Sequence, residues 1–245
     1  MISKMIIAKI GGKIIENHKN LEHTINQFKT LLLDKKIIDK LVLIPGGGSY
    51  ANFIRILDKK LDIGDDLSHW MAIYAMNSNG EAISQEYKDI KSIKNLEELK
   101  ESKDSFLVFL PFDFLYQTDE LPHSWSVTSD SITIYIAAIL NLNKCFLIKD
   151  IDGIFIKNQS EPIKEISTKE YEDFRNNNKI ADLKAQSDNI KKSIPIDLYS
   201  LKIINDFKIS CIILNGRSDT NRIVSYFDDN ISKRDKIYTK VRRIH

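Results

Sequence analysis

The run Leu41-Val42-Leu43-Ile44-Pro45-Gly46-Gly47-Gly48-Ser49 joins four aliphatic residues to a proline and three glycines. Consecutive aliphatic side chains with no polar alternation describe a strand buried on both faces, as in a parallel sheet covered by helices. Pro45 and the glycines end it. Working outward, the same figure recurs. Met5-Ile6-Ile7-Ala8-Lys9-Ile10 is a second such run, stopped by Gly11-Gly12. Between the two, Leu21, Ile25, Phe28, Leu32 and Leu33 fall at helical spacing within residues 21–36. Downstream, Ser49 is expected to cap a helix from Tyr50 to Leu61, and Asp65 to Met76 reads as another.

Farther along, Phe106 to Leu110 is a strand ended by Pro111, followed by an aromatic-rich loop to Trp125. A helix over Ser129 to Leu140 and a strand over Cys145 to Ile148 come next, and Ile154-Phe155-Ile156 is expected to return as a short strand. Helical pieces at 168–174 and 183–192 interrupt an irregular, charged stretch; a helix over Leu198 to Phe207, a strand over Cys211 to Leu214 and a helix from about Thr220 to Tyr226 complete the chain. Residues 81–105 show no clear period. This alternation predicts an α/β fold, a three-layer αβα sandwich with a mainly parallel central sheet. At 245 residues the chain suits a single domain, 1–245, with a substantial core.

A formal net charge of +2, with 42% hydrophobic and 29% charged residues, is ordinary for a globular protein and gives no case for nucleic acid or membrane as partner. No stretch is long and apolar enough to span a bilayer, and the N-terminus lacks a signal-peptide cleavage pattern. Cys145 and Cys211 sit in apolar runs, as small core residues of a reducing compartment would. The expected location is the cytoplasm. No His, Cys and carboxylate cluster has metal-ligand spacing, so no protein-held metal is expected.

Seven of the nine glycines follow an expected strand; Gly64 and Gly80 do not. In a parallel sheet those turns share one edge, where ligands bind. Glycine lets backbone N–H groups approach and cradle phosphate oxygens, and a helix start behind the turn adds a favourable dipole. Strand termination alone accounts better for Gly153 and Gly216 taken singly. The Gly11 pair and the Gly46 triple point to an anion site. Neither GxxxxGK[ST] nor GxGxxG is present, which argues against a P-loop enzyme and places a dinucleotide oxidoreductase last.

Four segments, in order, resemble the amino acid kinase family: Lys9-Ile10-Gly11-Gly12-Lys13-Ile14-Ile15, Ile44-Pro45-Gly46-Gly47-Gly48-Ser49, Val127-Thr128-Ser129-Asp130-Ser131-Ile132 and Leu147-Ile148-Lys149-Asp150-Ile151-Asp152-Gly153-Ile154-Phe155. The last is the most specific. His69 to Met76, Leu121 to Ile132 and Ile213-Leu214-Asn215-Gly216-Arg217 resemble the archaeal-type branch that includes aminomethylfuran-methyl phosphate kinase. The resemblance implies the amino acid kinase (carbamate kinase-like) fold, with an acceptor-binding lobe at 1–140 and a nucleotide-binding lobe at 141–245. It implies transfer of the γ-phosphoryl group of ATP, with Mg²⁺, to a small metabolite that is itself a phosphate monoester, and a homo-oligomer.

By the same resemblance Lys9 would reach the β/γ-phosphate oxygens, with Asp130 orienting it rather than acting as a base. Gly11, Gly12, Lys149, Asp152 and Gly153 would bind the nucleotide, and Gly46, Gly47, Gly48 and Thr128 the acceptor. Arg55, two helical turns past the triple glycine, could grip an acceptor phosphate, although a solvated helix face is the commoner fate of such a residue. His69, His123 and Trp125 could line the acceptor pocket or simply pack. Two departures stand out. The family's G-G-M-x-x-K segment has no counterpart in 178–195, which leaves open whether a lysine between 184 and 202 replaces its second lysine. No histidine follows the triple glycine, unlike in isopentenyl phosphate kinases. A non-catalytic nucleotide-binding regulatory or storage protein and a kinase with a carboxylate acceptor remain the alternatives.

Overall fold

The computed structural model describes residues 4–181 and 194–244. Eight strands form one sheet in the order β3-β4-β2-β1-β5-β7-β8-β6. They are β1 (Met5–Ile10), β2 (Lys40–Pro45), β3 (Lys91–Ile93), β4 (Phe106–Phe109), β5 (Lys144–Lys149), β6 (Glu165–Ser167), β7 (Ser210–Asn215) and β8 (Thr239–Arg242). Every pairing is parallel except β7 with β8. The helices are α1 (Gly12–Ile15), α2 (His18–Lys29), α3 (Gly48–Leu61), α4 (Asp65–Glu86), α5 (Leu96–Glu101), α6 (Phe112–Thr118), α7 (Ser129–Ile139), α8 (Thr168–Asn176), α9 (Leu198–Asp206) and α10 (Arg222–Phe227). A π-helical turn, Thr30–Asp34, prolongs α2.

Two apolar layers sandwich the sheet, as the unbroken aliphatic strands require. On one side Ile6, Ala8, Ile10, Phe146 and Ile148 pack on Ile25, Phe28 and Leu31. On the other, Ile7, Val42, Ile44, Cys145 and Leu147 pack with Met76, Ile132, Ile136 and Leu201. The two-residue period of a strand assigns each side chain to its layer. Cys145 and Cys211 are register partners on β5 and β7, buried as free thiols.

Several expectations need correction. Ile154 to Ile156 forms no strand; among the described residues its pairing is an isolated bridge from Ile156 to Ile180. Gly47, not Ser49, is the N-cap of α3. The helix begun at Asp65 does not stop at Met76 but runs to Glu86, through the polar stretch Asn77 to Gly80. Gly80 faces the sheet: a Cβ there would strike Leu110 and Pro45. The aromatic loop contains α6. The short strands β3, β6 and β8 were not anticipated, and the helical piece expected at 183–192 lies outside the described residues.

Candidate active site

The period-two alternation of β1 places Lys9 on the face of Ile7, and that of β5 places Lys149 on the face of Leu147. Both strands end at the same sheet edge, where Lys9 is the register partner of Leu147. Helix α7 begins over that edge. Thr128 caps it, its hydroxyl accepting from the Asp130 amide at 3.2 Å. Asp130, in the first turn where the helix dipole favours an anion, accepts from Lys9 Nζ at 2.8 Å through Oδ1 and from Lys149 Nζ at 2.6 Å through Oδ2.

Lys9 and Asp130 are buried, and Lys149 is nearly so. Burial works against ionisation of Asp130, but the Lys149 and Lys9 ammonium groups together hold its carboxyl well below the usual carboxylate range. Burial lowers the Lys9 amine from its ordinary value; Asp130 resists that shift and Lys149 adds to it. Two ammonium groups share one carboxylate, so these three groups sum to one positive charge, which the buried Asp197 carboxylate on the same cleft partly offsets. Such a charge in a water-poor site binds anions strongly.

A second buried carboxylate, unanticipated, supports the array. Asp197 caps α9 by accepting from the Ser200 amide at 2.7 Å. It also accepts from Thr128 Oγ1 at 2.6 Å, from the Ser131 amide at 3.1 Å and from Ser131 Oγ at 2.5 Å. It therefore ties the starts of α7 and α9 together. An aspartate directly before a helix at Leu198 was a readable cap signal; its second partner was not. Asn79, inside α4, donates to the Gly46 carbonyl at 2.7 Å and steadies the triple-glycine turn.

The two glycine turns touch. A Cβ on Gly12 would stand 2.5 Å from the Gly48 Cα, and one on Gly46 3.0 Å from the Gly12 amide nitrogen. They lie on one rim, side by side rather than across a gap. Not all their amides are available. Gly11 N–H donates to the Ile148 carbonyl and Gly46 N–H to that of Ile10, each at 2.8 Å. These bonds extend the strand ladder, so Gly11 and Gly46 cannot hold phosphate by their amides, contrary to the sequence expectation. Gly12, Gly47 and Gly48 line the cleft, and their amides reach no acceptor among the described residues. At the start of α3 the Ser49 amide is already taken by the Glu16 carboxylate, an internal anion at a helix N-terminus.

The cleft holds about 280 Å³, at the small end for ligand pockets. Of the residues singled out in the sequence, it brings together Lys9, Gly11, Gly12, Gly47, Gly48, Thr128, Asp130 and Lys149. It does not bring in Asp152 or Gly153. Asp152 is held by Arg222 Nε at 2.8 Å and Asn215 Nδ2 at 3.3 Å. Gly153, at φ +146°, packs so closely on Thr239 that no side chain fits. Lys202 is exposed and paired with Asp206, away from the cleft; Lys184, Lys191 and Lys192 lie outside the described residues.

Arg55, His69 and Trp125 do border the cleft. Burial, with lesser help from His123, drops the His69 pKa to about 4, which leaves that ring neutral at pH 7. His123 stacks on it at 4.7 Å. Among the described residues no group of three or more His, Cys, Asp or Glu is arranged to hold a metal ion, and no helix is long and apolar enough to cross a membrane.

The amino acid kinase family model matches residues 4–215. The chain is 32% identical over 238 residues, 97% of each chain, to [5-(aminomethyl)furan-3-yl]methyl phosphate kinase of Methanocaldococcus jannaschii. It is similar in fold to uridylate kinase from Archaeoglobus fulgidus, with a TM-score of 0.64 at 13% identity, covering 97% of this chain and 99% of that one. Aspartate kinase from Synechocystis gives a TM-score of 0.63 at 13% identity, covering 98% of this chain and 40% of that one.

Proposed function

This chain belongs to the amino acid kinase family and is a phosphotransferase, and from that premise we propose that it moves the γ-phosphoryl group of ATP onto the phosphate of a small phosphate monoester. The observation that carries this reading is the buried Lys9–Asp130–Lys149 array, two ammonium groups on one carboxylate, which lines one cleft together with the glycine turns. The relative from Methanocaldococcus jannaschii, named for a phosphate ester acceptor, supports the acceptor class.

Phosphoryl transfer asks for alignment and charge neutralisation more than for covalent help. Lys9 and Lys149 would meet the oxygens of the transferred group as charge builds on them, and the Gly12, Gly47 and Gly48 amides would seat phosphate oxygens beside it. A phosphate acceptor needs no proton removed near neutral pH. This suits Asp130, whose depressed pKa makes it a poor base and a good anchor for two ammonium groups. With Asp130, Asp197 and Glu16 committed to protein donors and Asp150 paired with Lys13, Mg²⁺ would be carried by the ATP phosphates, where it neutralises their charge. Residues 1–140 contribute the acceptor side and residues 141–245, through Lys149, the nucleotide side.

Tyr50, Leu67 and Tyr74 stand exposed around an apolar groove on α3 and α4. Patches of this kind are commonly covered by a partner, and a second copy of the chain is the occupant we favour; a sedimentation profile at monomer mass would exclude it. Cys145 and Cys211 are buried as small core residues, and the setting we propose is the cytoplasm.

The test is ADP release with MgATP and [5-(aminomethyl)furan-3-yl]methyl phosphate beside carboxylate acceptors such as aspartate. Turnover with the phosphate ester alone is expected. Turnover only with a carboxylate removes the acceptor assignment, and tight ATP binding with no turnover removes the kinase reading.

A further inference from the structure

Helix α3 carries Arg55 and Asp58 three residues apart, the spacing at which a helical arginine and aspartate ordinarily pair. They do not pair here. The Asp58 carboxylate accepts instead from the indole Nε1 of Trp125 at 2.6 Å. The Arg55 guanidinium lies over the face of the same indole, 4.2 Å from the ring centroid. Its Nε is buried and has no hydrogen-bond partner among the described residues. Arg55 and Trp125 both line the cleft that holds Lys9, Gly47 and Gly48.

A buried guanidinium N–H without an acceptor is costly unless a ligand completes it. Arginine keeps its charge throughout, and its planar fork matches the edge of a phosphate. From the diversion of Asp58 to the indole, we infer that Trp125 is a positioning residue that keeps Arg55 unneutralised, and that Arg55 is the group that selects a phosphate-bearing acceptor by binding its phosphate. Stacking fixes the plane of the fork and leaves its N–H edge for the ligand. Trp125 therefore serves twice, as a platform for the cation and as a decoy for the carboxylate that would silence it. A neutral acceptor would leave the fork unsatisfied, which is how a buried polar group discriminates.

This inference rests on the acceptor class proposed above, and its test separates the two. Equilibrium titration of the full chain with [5-(aminomethyl)furan-3-yl]methyl phosphate, and separately with MgATP, is run on Arg55→Met, Arg55→Lys, Trp125→Phe and the double variant Trp125→Phe with Asp58→Asn. Folding of each is checked by its thermal melt. Arg55→Met should weaken binding of the phosphate ester by roughly 10- to 100-fold and Arg55→Lys by less, with MgATP affinity held within about twofold. Trp125→Phe keeps an aromatic face but frees Asp58, so ester binding should weaken; adding Asp58→Asn should restore it. A merely structural role for Trp125 predicts no such rescue. Unchanged ester affinity in Arg55→Met, or a wild-type chain that does not bind the ester, overturns the assignment. A wild-type chain that binds the ester through Arg55 yet never phosphorylates it sustains the Arg55 assignment and removes the kinase reading instead.

Discussion

Asp130 and Asp152 sit at the same edge of the sheet, each in a segment that matches the family pattern, and their surroundings are opposite. Asp130 is buried between two lysines and leaves a positive charge over. Asp152 is partly exposed, balanced by a single arginine and an asparagine amide, and leaves nothing over. The glycines follow the same division. Gly12 and Gly48 abut one another and border the cleft, whereas Gly153 and Gly216 are required by packing, the first against Thr239 and the second against Ile148 and Thr24. A family signature thus mixes residues that handle the ligand with residues that fold the turn, and Lys149 and Asp152 fall on different sides within four positions.

The largest expected effect comes from removing the shared carboxylate. Asp130→Ala strands two buried ammonium groups, and stability should fall by about 3–5 kcal/mol in denaturant unfolding. A loss below about 1 kcal/mol would mean that the array is looser than described. Next, Gly153→Ala should cost about 2–3 kcal/mol through its φ of +146° and the collision with Thr239. The kcat/KM of the folded fraction should stay close to wild type, and a catalytic collapse would place Gly153 in the site after all.

Titration sharpens the contrast further. Lys9 has a lowered folded pKa, so between that value and 10.5 the unfolded chain holds more protons. Its contribution to stability therefore rises with pH across that window. Activity moves the other way: kcat/KM should decline on the alkaline side below 10.5, and Lys9→Arg should move that decline upward. Asp130 has the depressed carboxylate pKa, so its contribution is present above 3.8 and is lost as pH falls further. Smallest of all, Asp152→Asn should cost under about 1 kcal/mol, as for a partly exposed ion pair. Its effect on kcat/KM should be no larger; a loss comparable to that of Lys149→Ala would erase the distinction between the two aspartates.

The central strands were legible because β1, β2, β5 and β7 are unbroken aliphatic runs ended by polar or glycine turns. Their two-residue period also put Lys9 and Lys149 on the face that α7 covers. β3, β6 and β8 were not legible: each has three or four residues, and the place of β6 and β8 in the sheet comes from pairing with distant strands. Asn77 to Gly80 hid the second half of α4, because the Asn79 and Asn77 side chains serve Gly46 and Phe112 rather than solvent. Asp197 and the Trp125–Asp58 bond link positions 66 or more residues apart, which no local pattern reveals. The amides of Gly11 and Gly46 misled for a related reason, since the sequence does not indicate which strand-end carbonyl has claimed them.

The most direct measurement is steady-state turnover of Lys9→Ala beside Asp152→Asn, with MgATP and [5-(aminomethyl)furan-3-yl]methyl phosphate. A surplus charge that acts on the transferred group predicts a kcat loss of roughly 10²- to 10³-fold for Lys9→Ala and near-wild-type kcat for Asp152→Asn. Full turnover by Lys9→Ala would contradict the account.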